Sequence, residues 1–203
     1  RLEDSERAIL TYRALLGRVA RHVPSLLALL ELHTKSEDHQ EMAGVLEELL
    51  QVAEGSERGK YATQLADVRR RLGEPEREAE AVGMALAVDE SDAKLRTRLR
   101  GLYDELGRYA EVCQLICRDA ELAPELPRKI ELYREAAGVY RSKLSDAAGA
   151  ALVLERASQL VPDNRELLLE LCDAYNDSGR SELAAQSLER IVASYGGRRS
   201  REL

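Results

Sequence analysis

With 203 residues the chain can bury a sizeable core, but it has no Trp, no Phe and five Pro, and it lacks the alternating β-branched and aromatic runs that strands need. Its formal net charge of −7, with 33% charged residues of both signs, excludes the basic surface that a phosphate backbone requires. No run approaches about 18 uninterrupted apolar residues, which excludes a membrane-spanning helix.

Ala, Leu, Glu and Arg dominate, and these side chains lose little freedom in a helix, so an all-α fold is expected. Residues 1–22 read as one amphipathic helix carrying Ala8, Tyr12 and Leu15. Five pairs of amphipathic helices follow. Residues 23–56 hold Leu26, Leu29, Leu30 and His33, then Leu46 and Leu49; residues 59–92 hold Leu65, Gly73 and Ala85. Residues 93–126 hold Leu99, Tyr103, Gly107 and Pro124. Residues 130–164 carry Tyr133, Ala136, Ala137 and Tyr140, then Ala150, Leu154, Ala157 and Pro162. Residues 165–198 carry Leu168, Leu171, Cys172 and Tyr175, then Gly179, Ala184, Leu188 and Ile191. Residues 199–203 read as the start of a further helix.

The pairs recur with a period. Gly73 and Gly107 stand 34 positions apart, and Gly179 follows Gly107 after two such periods and four extra residues. Gly after an apolar-periodic run stops a helix, because it turns left-handed without a Cβ clash. Val161-Pro162-Asp163-Asn164 is the matching stop and restart: Pro cannot continue a helix, and Asp or Asn caps the next one.

This pattern resembles the tetratricopeptide repeat, over nearly the whole chain and best over 165–198. The resemblance implies a right-handed α-solenoid of about eleven helices, with 1–22 as a lone second helix and five full repeats after it. It also looks like a fragment of a longer array, since the chain lacks an initiator Met and a signal peptide, and its high Arg, Ala and Glu content with degenerate repeats resembles bacterial arrays of the family. In two repeats the second helix can be read in either of two registers. Strict counting buries Glu78 and Asp119; a slip of one residue buries Ala79 and Ala120 instead. The slip is preferred, because an unpaired carboxylate is costly to bury.

Chemistry-bearing residues are few. Cys113 and Cys117 share a helix face without a nearby His, and they read as small core residues, as does Cys172. An odd number of cysteines without a compact framework suits a reducing, cytoplasmic location. His22, His33 and His39 carry no metal-ligand spacing. No phosphate loop, nucleophile elbow or zinc motif is present, so neither an enzyme nor a cofactor is expected.

The resemblance places the outward positions of each first helix along a binding groove. These are Leu27, Glu31 and Lys35; Lys60, Thr63, Asp67, Arg70 and Arg71; Lys94, Thr97 and Asp104; Arg134 and Arg141; and Asp173, Asn176 and Asp177. The middle is biased basic and the C-terminal end acidic, which implies a protein or peptide partner with an acidic segment. The family's chaperone-tail clamp of Lys, Asn, Lys and Arg is missing, because Leu27 and Glu31 occupy its first positions. A scaffold or adaptor is the function implied, with a structural spacer or self-assembly module as the alternative. End-to-end association of copies is expected from the uncapped end helices.

Overall fold

The structure, a computed structural model, describes residues 2–199, with side chains described for 4–193. Among the described residues the chain is all-α, with eleven helices and no strand. The helices are α1 (Leu2–Arg18), α2 (Val23–Lys35), α3 (His39–Leu50), α4 (Gly55–Leu72), α5 (Pro75–Leu86), α6 (Ala93–Glu105), α7 (Tyr109–Leu122), α8 (Leu126–Lys143), α9 (Ala147–Leu160), α10 (Arg165–Asp177) and α11 (Ser181–Arg199). The last helix continues through Gly196 and Gly197 to Arg199, the first residue of the further start expected at 199–203; the rest of that start, 200–203, lies outside the described residues.

The chain divides into two compact units, residues 1–106 and 107–203. The division falls between the two helices of the pair expected over 93–126. Within each unit every helix packs on its sequence neighbours, so successive short turns make a run of helical hairpins.

The first unit is built around residues that leave no room between helices. Leu26, Leu46 and Leu49 are completely buried, together with the small Ala43, Ala62 and Ala66 that let the backbones approach. Gly73 ends α4 at φ 69°, and the Glu74 amide donates to the Arg69 carbonyl (3.1 Å), closing the last turn of the helix. Asp38 caps α3 through the Glu41 amide, and Asp92 caps α6 through the amides of Lys94 and Leu95.

The second unit repeats the scheme. Cys113, Ile116, Ala120, Ala136, Ala150 and Ala157 are completely buried. Asp146 caps α9 through the Gly149 amide (2.8 Å), and Asn164 caps α10 through the Leu167 amide (3.1 Å). Gly179, at φ 74°, ends α10, with the Arg180 amide donating to the Tyr175 carbonyl (2.8 Å). The Tyr175 hydroxyl donates to Glu155 on α9 (2.7 Å); burial and that carboxylate push its pKa up to about 12.

One register expectation is corrected. Ala79 and Ala120 are buried as the slip required, but Glu78 is buried beside Ala79, at 3% exposure. It escapes the cost of an unpaired carboxylate because two guanidinium groups reach it: Arg70 Nε at 3.0 Å and Arg98 Nε at 2.8 Å.

A groove between alternate helices

In the first unit α2, α4 and α6 alternate with α3 and α5, and two hollows lie between the alternate helices. The one between α2 and α4 has a volume of about 540 Å3. Leu27 and Leu30 from α2 line it with Met42 from α3 and Gln64, Val68 and Arg71 from α4. The second, of about 900 Å3, lies between α4 and α6; Arg70 and Gly73, Pro75 and Glu78, and Lys94, Thr97, Arg98 and Leu102 line it. Asp67 belongs to the wall of the first hollow and accepts from Arg98 Nη1 of the second (2.7 Å), so one ion pair ties the two walls together.

The expected groove residues fall as follows. Asp67 and Arg71 line the α2/α4 hollow, and Arg70, Lys94 and Thr97 the α4/α6 hollow. Lys60 and Thr63 line a different hollow of about 420 Å3, shared with Val88 and Leu95. Asp104 is exposed on α6 and lines none of these. In the second unit Arg134 and Arg141 project from α8, with Asp173, Asn176 and Asp177 on α10.

Charge is arranged differently from the simple basic-to-acidic gradient. Arg70 is held by Glu78, and Arg134 meets Glu170 through two hydrogen bonds, one from Nε at 3.0 Å. The bond from Glu170 is the main reason the Arg134 pKa is raised. Arg141 pairs with Asp177 at 3.3 Å. Each guanidinium on which the acidic-peptide expectation leaned therefore already holds a carboxylate of this chain. Asn176 donates to Cys172 Sγ (3.7 Å).

Sequence reasoning missed the buried charges. Arg69 is 3% exposed and lies between Glu47 and Glu74, with the Glu74 contact at 2.5 Å. Burial lowers its pKa most strongly, yet the bonds from Glu47 and Glu74 together carry it above its ordinary value. The signal for this pairing lay in opposite charges recurring on neighbouring helices, which a reading of one helix at a time does not register.

The remaining candidates behave as packing groups. Cys113 donates Sγ–H to the Ala136 carbonyl (3.8 Å), and burial pushes its pKa up to about 11, so it is a thiol at neutral pH. Cys117 is half-buried, and burial raises it too. His33 is buried, 3.9 Å from Asp38. Among the described residues no group of three His, Cys, Asp or Glu side chains could hold a metal ion, and no helix is long and apolar enough to cross a membrane.

Helical hairpins following one another within each unit, with open hollows between alternate helices of the first, are the arrangement of a helical-repeat fold. The family model described as Tetratricopeptide repeat matches residues 143–201. No curated protein matches it in sequence. Solved structures with similar helix arrangements include the MamA protein, 13% identical with a TM-score of 0.41, covering 88% of this chain and 94% of that one. YrrB, described as a TPR protein with an unusual peptide-binding site, is 19% identical with a TM-score of 0.44, covering 82% and 83%. BtubC from P. vanneervenii is 19% identical with a TM-score of 0.38, covering 98% and 91%.

Proposed function

We propose that this chain is a protein-interaction scaffold that holds a partner's peptide segment against α2, α4 and α6. The observation that carries the reading is the pair of adjoining hollows there, bridged by the Asp67–Arg98 ion pair. Side chains there are of the kinds that hold peptides without reacting: an exposed Leu27, the hydroxyl of Thr97, the carboxamide of Gln64 and charged rims. The role is binding, with no catalytic step assigned. The three free thiols suit a reducing compartment, the cytoplasm.

The test compares two double variants for proteins captured from the host's own extract. Leu27→Asp/Thr97→Arg alters the groove, whereas Glu48→Arg/Glu80→Arg alters exposed residues of α3 and α5 that lie outside both hollows. The groove variant is expected to lose a specific protein that the wild type and the other variant both retain. Retention by the groove variant, or loss from both, would count against the reading.

A spacer or self-assembly role is favoured by one observation. Leu10 on α1 and Val192 on α11 are 68% and 69% exposed, so both helices present large apolar side chains to solvent.

A further inference from the structure

The hollow between α2 and α4 carries a charge that no ion pair among the described residues satisfies. Its carboxylates are occupied: Glu31 holds Lys35 at 2.6 Å, and Asp67 holds Arg98 at 2.7 Å. Arg71, exposed on the last turn of α4, makes no ion pair among the described residues. The hollow therefore keeps one uncompensated cation on its rim. Beneath it lies an aliphatic floor of Leu27, Leu30, Met42 and Val68, with Leu27 still 42% exposed. Gln64, exposed one turn before Val68, offers both a donor and an acceptor of the kind that peptide main chain needs.

Gln64, Val68 and Arg71 are spaced by four and three residues, so they lie in a row on one helix face. From Val68 to Arg71 the helix rises about 4.5 Å. An extended peptide brings same-side residues, two apart, to about 6.7 Å, and a long Arg side chain covers the difference; adjacent residues would point to opposite sides.

We infer that the α2/α4 hollow takes an extended partner peptide bearing an aliphatic side chain and, two residues away, a carboxylate. The aliphatic group sits on Leu27, Leu30 and Val68, the main chain meets Gln64, and the carboxylate meets Arg71. This rests on the scaffold reading and adds the chemistry of its partner. A basic residue in place of the acid is repelled, and an acid without the aliphatic neighbour loses the apolar contact.

The probe is an end-blocked peptide, Ser-Glu-Ser-Leu-Ser-Glu-Ser, carrying a neutral dye and read by fluorescence anisotropy. It places the acid two residues to either side of the aliphatic group. One control replaces both Glu by Lys and a second replaces Leu by Ser. The expected result is that the probe binds about tenfold more tightly than either control. Arg71→Glu, checked by circular dichroism for helix content, should reverse the preference toward the Lys peptide. A preference unchanged in that variant, controls that bind as well as the probe, or no saturable binding at all would overturn the inference. So would displacement of the probe by self-association, which would make a second copy the occupant. If all three peptides bind alike and Leu27→Asp removes them, the scaffold reading stands and only the stated chemistry falls. If the capture experiment shows no dependence on the groove, the reading itself falls.

Discussion

Replacing Glu47 and Glu74 together by Ala is expected to cost about 3–5 kcal/mol of unfolding free energy, because it strands the buried Arg69 guanidinium. Arg69 has a side-chain exposure of 4%, while its two partners remain 51% and 31% exposed. That asymmetry fixes which partner matters. Without the acids, a cation stays in the α3–α4–α5 interior with no compensating charge. Without the cation, in Arg69→Met, both carboxylates can turn to water while a flexible apolar side chain fills the space. Arg69→Met is therefore expected to change stability by less than about 1.5 kcal/mol. Urea unfolding followed by far-ultraviolet circular dichroism measures both. Equal losses in the two variants would show that the packing of the Arg stem, and not its charge, matters at this position.

Gly149→Ala is the second large effect, and it lies in the other unit. A Cβ at Gly149 would stand 2.5 Å from Asp146 Oδ2 and 2.6 Å from the Tyr140 ring, so the new methyl collides with the cap of α9 and with an aromatic of α8 together. Asp146 cannot easily withdraw, because it accepts the Gly149 amide at 2.8 Å. A loss of about 1–3 kcal/mol is expected from overpacking alone. Gly138→Ala on α8 is the control. Its Cβ would meet nothing within 4 Å, and helix propensity should then stabilise that helix by about 0.5–1 kcal/mol. Thermal unfolding of the two variants should move in opposite directions; a shared direction would contradict the packing account.

The fold was most legible where the chain uses the residues that a turn demands. Gly73 and Gly179 announce their left-handed turns, and Pro162 with Asn164 marks the stop of α9 and the start of α10. It was least legible where the same geometry is met by ordinary residues. Glu37 and Ser145 adopt φ of 56° and 52° in the α2–α3 and α8–α9 turns without a glycine to signal them. A side chain that tolerates strain leaves no trace in composition.

The candidate residues fall together only in part, since Lys60 and Thr63 line a different hollow and Asp104 lines none of the three. Asp67, Arg70, Arg71, Lys94 and Thr97 were named through the resemblance, and these five line the two hollows. The charges were counted singly, however, and the carboxylates that hold Arg70, Arg134 and Arg141 come from other helices. Arg134 and Glu170 are 36 positions apart, as are Arg141 and Asp177, so each pair links the first helices of successive hairpins. The burial of Glu78 is hidden for the same reason, since its partners stand 8 and 20 residues away. Pairing across a helix stack is a property of the stack, and a helix read by itself does not contain it.

The groove claim is tested most directly by amide hydrogen exchange of the chain with and without a saturating captured partner. Slowed exchange is expected to concentrate in 27–35, 64–71 and 94–105, with less slowing in α3 and α5, which add only Met42, Leu46, Pro75 and Glu78 to the hollows. Slowing confined to α3 and α5, or a partner that slows none of these segments, would contradict it.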